Sequence, residues 1–167
     1  MRTFSGFVAA AAALAMGATP LQARCWDEAS VIAAKTRELD TMLMVSALRC
    51  RRDAATFLAD YNHFVRTSRP ALLEVNARLK THFDEGRGQR ATLDAFDSYI
   101  TAVANRYGAG SDGLSCEDFG WIAKAAVGAA GSAARLAEIA EISRIEPVLP
   151  EGRCGAPGSS MTIAARR

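Results

Sequence analysis

Apolar residues recur at helical spacing from residue 27 to about 144, and no segment alternates with the period of a strand. Asp27 and Glu28 stand where the dipole of a first turn favours acids, and the pattern behind them predicts one long helix ending near Arg49. Asp53 is placed to cap a second helix whose apolar face is Phe57, Leu58, Tyr61, Phe64 and Val65. Pro70 removes a backbone donor and biases Arg69 away from helical angles, which predicts a kink or short break at 66–70. Leu72, Val75, Leu79 and Phe83 then resume the pattern until DEGRG (84–88) stops it with two glycines.

Leu93, Phe96, Ile100, Val103 and Tyr107 follow at steps of 3 and 4, the seam of a third helix. GAGSDG (108–113) ends it, and Ser115 with Asp118 has the spacing of a capping box for a fourth. Its seam is Phe119, Ile122, Ala126, Ala129, Ala133 and Leu136, and the small residues of AAVGAAGSAA (125–134) leave room for a close neighbour. From Pro147 the apolar period is lost, which predicts a mostly irregular tail over 147–167. The expected fold is therefore all-α: an antiparallel bundle of four helices over 24–146, or five if the chain reverses at Pro70.

MLMVSALRCRR (42–52) departs from the one-stripe pattern, because Met42, Leu43, Met44, Val45, Ala47 and Leu48 cover almost the whole circumference of a helix. That predicts a central first helix enclosed by the others, with a homodimer contact as the alternative.

Composition adds the compartment. MRTFSGFVAAAAALAMGATPLQA (1–23) has an early arginine, an apolar run too short to span a bilayer and an alanine at 23, the pattern of a secretory signal peptide. Without that leader one basic residue of 20 is lost and 19 remain against 18 acids, so the charge falls to about +1 and gives no reason to expect nucleic acid. No later segment offers the roughly 20 apolar residues of a spanning helix. The expectation is an exported protein, periplasmic or secreted.

Four cysteines follow the leader, at 25, 50, 116 and 154, without a CxxC or CxxH. An even number in an exported chain predicts two structural disulfides. Cys25 and Cys50 flank a helix of about 36 Å, far beyond the ~7 Å that a disulfide spans. With helices alternating up and down, Cys50 and Cys116 share one pole, and Cys25 and Cys154 the other. The predicted pairs are Cys50–Cys116 and Cys25–Cys154.

The candidate chemistry is sparse. GAGSDG matches GxGxxG in letters, but a helix rather than a strand precedes it, so an interhelical turn is the better reading. It also lacks the repeated acids of a calcium loop. Met42 and Met44 lie about 200° apart on a helix and cannot grip one copper ion. His63 and His82 have no second ligand at i+3 or i+4. Asp94, Asp97, Glu138 and Glu141 need no role beyond helix-surface charge. Arg49, Arg51 and Arg52 complement the end of the first helix; together with Arg66 and Arg69 they form a candidate patch for an anionic ligand. No catalytic set, metal site or cofactor site is predicted.

The order CW…MLMVSALRCR…YNHFVR…RPALLEVNARLKTHF…DSYITAVANRYG…C…GRC resembles a group of small exported, four-cysteine, all-helical bacterial proteins without an established activity, over nearly the whole mature chain. Some similar chains carry the label S-adenosyl-L-homocysteine hydrolase. That enzyme is far longer and is built on a Rossmann domain, which these residues do not support. The expected function is non-catalytic binding of a partner protein, a cell-envelope component or a small apolar ligand. A small periplasmic hydrolase with a site near His63 is the alternative.

Overall fold

A computed structural model describes residues 25–155 apart from 53, 54, 85, 87, 112 and 130. The expected leader, the cap expected at Asp53 and the end of the expected tail lie outside the described residues. Five helices pack together: α1 (Glu28–Arg49), α2 (Ala55–Phe83), α3 (Gln89–Gly108), α4 (Cys116–Gly128) and α5 (Ala133–Ile142), with a 3-10 turn at Cys50–Arg52 after α1. Asp27 caps α1 by accepting the Ser30 N–H at 2.8 Å, and also pairs with Arg78 of α2. Ser115 and Asp118 form the expected capping box at α4: the serine hydroxyl accepts from the Asp118 N–H, and the Asp118 carboxylate accepts from the Ser115 N–H at 2.8 Å.

The disulfides are Cys25–Cys154 and Cys50–Cys116, with Cα atoms 4.9 and 5.6 Å apart. The alternation of α1 to α4 between two poles is what brings these residues together. Around Cys50–Cys116, α1, α2, α4 and α5 enclose Leu39, Leu43, Phe57, Phe64, Phe119 and Leu136. Around Cys25–Cys154, Trp26 is buried with Val31, Val75, Leu79 and Phe96. The chain after α5 returns along this pole as a strap. Trp26 donates its backbone N–H to Gly152 at 2.8 Å and its indole N–H to the Pro150 carbonyl at 2.8 Å, and accepts from the Cys154 N–H at 3.0 Å.

Three expectations need correction. First, α2 continues without a break through 66–70 despite Pro70. Thr67 donates its hydroxyl to the carbonyls of His63 and Phe64 at 2.9 and 3.1 Å, and Gly131 packs directly onto the backbone of Thr67 and Ser68. Packing on both the side chain and the backbone outweighs one missing hydrogen bond.

Second, the expected fourth helix is two. It stops at Gly128 and restarts at Ala133, with Ser132 as N-cap. Gly131 has φ +72°, and a Cβ there would lie 3.2 Å from the Thr67 carbonyl oxygen, so the turn needs glycine for both its angle and its proximity to α2. The fifth helix arises here and not at Pro70.

Third, the enclosed part of α1 lies upstream of the apolar stretch. From Ser30 to Leu43 all but Ile32 and Arg37 are buried, including Lys35, Thr36, Glu38, Asp40 and Thr41, whereas Met44 and Leu48 reach the surface at 37% and 66% exposure. A central helix is correct, but its centre is polar.

Candidate functional site

Burying charge on α1 requires a partner for each group, because an unpaired ion in a packed interior is costly. Lys35 reaches Glu141 of α5. Arg37 pairs with Asp40, whose carboxyl burial still pushes above its ordinary range. Asp40 and burial together push the Tyr61 hydroxyl of α2 up to about 12, burial being the larger cause.

Glu38 lies about 200° round the helix from Asp40 and faces α3. Tyr107 donates its hydroxyl to Glu38 Oε1 at 2.7 Å, and Arg106 places Nη2 2.9 Å from Oε2. No N–H is aligned on Oε2, so the arginine contact is ionic without being a directed hydrogen bond. Burial raises the Glu38 carboxyl above the ordinary range, against the opposing pull of Tyr107 and Arg106. Burial, with Glu38 adding to it, also raises the hydroxyls of Tyr107 and Tyr99; the Tyr99 hydroxyl has no hydrogen-bond partner among the described residues.

Arg106 also lines a groove of about 730 Å³ between the end of α3, the loop that follows it and the end of α5. Its size falls in the range of small-molecule sites. Met42, Leu114, Ile142 and Ile145 give it apolar walls, and Ile142 is 83% exposed at the rim. Ser111 and Ser143 supply hydroxyls; the Ser111 oxygen is buried without a hydrogen bond among the described residues. Arg144 is the second cation, and no acid among the described residues borders the groove.

Arg144 owes its place to the way α5 ends. Ile145 N–H donates to Ala140 O at 2.8 Å and Arg144 N–H to Glu141 O at 2.9 Å, the paired bonds of a left-handed helix terminus. Arg144 has φ 57°, where glycine is the usual occupant and a side chain costs about 1 kcal/mol. Its guanidinium has no ion pair or hydrogen bond among the described residues. The sequence held a usable sign: the helical period ends at Ile142 with no glycine before Gly152, so a residue carrying a side chain had to take the left-handed position.

The five arginines expected to form a patch are not gathered. Arg49 donates to the carbonyls of Tyr107 and Gly108 at 3.5 and 3.4 Å, bracing the end of α3 rather than its own helix. It lies so close that a Cβ on Gly110 (φ +112°) would sit 2.6 Å from its Nη1. Arg51 and Arg52 are exposed on the 3-10 turn. Arg66 and Arg69 are exposed on α2, about 16 and 21 Å along its axis from its start.

His63 is exposed on α2, and its ring makes no hydrogen bond among the described residues. His82 is half-buried, its ring 3.8 Å from that of Trp26. Met42 and Met44 take opposite sides of α1, 1% and 37% exposed. Among the described residues no group of three His, Cys, Asp or Glu gathers as a metal site would require, and no helix is long and apolar enough to cross a membrane.

No protein-family model, curated protein or solved structure matches this chain. The groove above the Glu38–Arg106–Tyr107 cluster is thus its best-formed candidate site on chemistry alone.

Proposed function

We propose that this is an exported, non-catalytic protein that binds a small anionic amphiphile, a monocarboxylate with an apolar tail, in the groove between α3 and α5. The reading rests on one observation above all: Arg106 and Arg144 both line a groove whose walls include Met42, Leu114, Ile142 and Ile145. A guanidinium presents paired donors in a plane that matches a carboxylate. The walls from Met42, Leu114, Ile142 and Ile145 suit a short hydrocarbon chain, each buried methylene adding about 0.8 kcal/mol. The strained backbone at Arg144 fits this role, since a costly residue in place of glycine needs a return outside folding. Export is supported by the leader-like first 23 residues and by two disulfides.

Calorimetric titration with octanoate, butyrate, octanol and inorganic phosphate tests this. Octanoate should bind, butyrate more weakly, and octanol and phosphate least, because each lacks one half of the recognition. R144G keeps and even favours the left-handed turn while removing the cation, so it should fold at least as stably yet bind octanoate at least about 10-fold more weakly. Equal affinity for octanol, tighter binding of phosphate than of octanoate, undiminished binding by R144G, or no binding at millimolar octanoate would each overturn the reading.

A further inference from the structure

We infer that the groove takes up its ligand as a weak-acid equivalent: the organic anion settles against Arg106 and Arg144 while one proton from solvent settles on Glu38. The inference rests on the proposed anion site. Its basis is the shared position of Arg106, which pairs with buried Glu38 and is also one of the residues that line the groove.

Glu38 is 1% exposed and held by one directed hydrogen bond, from Tyr107 to Oε1, and one ionic contact, from Arg106 to Oε2. A second carboxylate arriving at Arg106 would leave two anions facing one cation, the arrangement in which one carboxyl keeps its proton. Arg144, in the turn after α5, lines the groove and makes no contact with Glu38.

The surrounding groups supply Glu38 with no further cation. From α3 it meets Tyr99, Arg106 and Tyr107. On α5, Glu141 is held by Lys35, itself one turn from Glu38 on α1. From α2, Tyr61 sits by Asp40 and Arg37, on the other side of α1. On α4, Lys124 is directed to Asp60 and the Trp121 ring, and Asp118 to its cap.

The balance is simple. Buffer acid gives up a proton, an O–H bond forms at Glu38 Oε2, the Tyr107 hydrogen bond to Oε1 persists, and the ligand carboxylate replaces Glu38 as counter-ion of Arg106. Burial already holds this carboxyl above the ordinary range, the direction that favours taking up the proton. A purely structural Glu38, fastening α1 to α3, would show no such coupling.

The test is calorimetry of octanoate at pH 6 in cacodylate, MES and imidazole, buffers whose heats of ionisation differ. The slope of observed heat against buffer heat should report net uptake of protons on binding. E38Q should bind within a few-fold of the wild-type affinity with a slope near zero. Octanesulfonate, which stays ionised, should show the same uptake on the wild-type protein and needs no variant. Octanoate binding without a buffer dependence, uptake that persists in E38Q, or octanesulfonate binding without uptake would each overturn the inference while leaving the anion site standing. Failure of the wild-type protein to bind either probe would bring down the site reading itself.

Discussion

Replacing Cys25 and Cys154 together by alanine should cost more stability than replacing Cys50 and Cys116, although the inner pair is the better buried. The bonds are nested, with sequence separations of 129 and 66. Closing a 66-residue loop in the unfolded chain is worth about 4.4 kcal/mol and closing one of 129 about 4.9 kcal/mol on the chain-entropy model. With the inner bond present, the outer one closes only the remaining contour of about 63 residues, for about 4.3 kcal/mol. The pair together is therefore worth about 8.7 kcal/mol, and removing the inner bond from the intact protein costs only about 3.7 kcal/mol. The outer bond also pins the strap that accepts hydrogen bonds from Trp26. Urea unfolding without reductant measures each loss as a drop in midpoint. Emission from Trp26, 1% exposed, should shift to the red when the outer pair is removed, against a constant background from Trp121 at 63%. Set against a typical total of 5–15 kcal/mol, either variant should still fold and the fourfold alanine variant should lie at the edge of stability. A loss below about 1 kcal/mol for the outer pair would refute this argument. So would an unshifted Trp26 emission.

G131A should lose about 1–2 kcal/mol, because alanine meets both the left-handed angle and the Thr67 carbonyl, whereas G108A, in helix and open space, should be neutral or slightly stabilising. Equal thermal midpoints for the two variants would contradict the close approach of the α4–α5 turn to α2. D27N keeps a capping side chain but loses the anion held by Arg78 and Ser30, which keep the Asp27 carboxyl far below its usual range. A group so lowered stabilises the fold above its unfolded value near 3.8 and loses that contribution as pH falls. The wild-type advantage over D27N should be about 0.5–1 kcal/mol at pH 7, as for an exposed pair, and shrink below pH 4. An advantage that grows on acidification in urea titrations would reverse the sign and sink the assignment.

What the sequence determined was whatever depends on local periodicity and length. The seam through Phe96, Ile100 and Val103, the box at Ser115 and Asp118, and a first helix too long for Cys25 to reach Cys50 are properties of neighbouring residues; they excluded one pairing, and an up-and-down alternation of helices then selected the disulfides. Tertiary structure decided where local preference met a distant partner. Pro70 argues for a break from its own chemistry, but α2 runs on because the Gly131 turn packs against it from some sixty residues away. The polar face of α1 looks solvated in a list of residues, yet Glu38 is buried because Tyr107 and Arg106 lie opposite it, and Lys35 because Glu141 does. The five arginines of the expected patch are likewise spread over α1, the 3-10 turn and α2. Charges spaced closely along the chain lie on different elements, while Arg106 and Arg144, 38 positions apart, line one groove between the end of α3 and the turn after α5. Helix spacing is written in the order of residues; which helix ends face one another is settled only by the packing of the whole bundle.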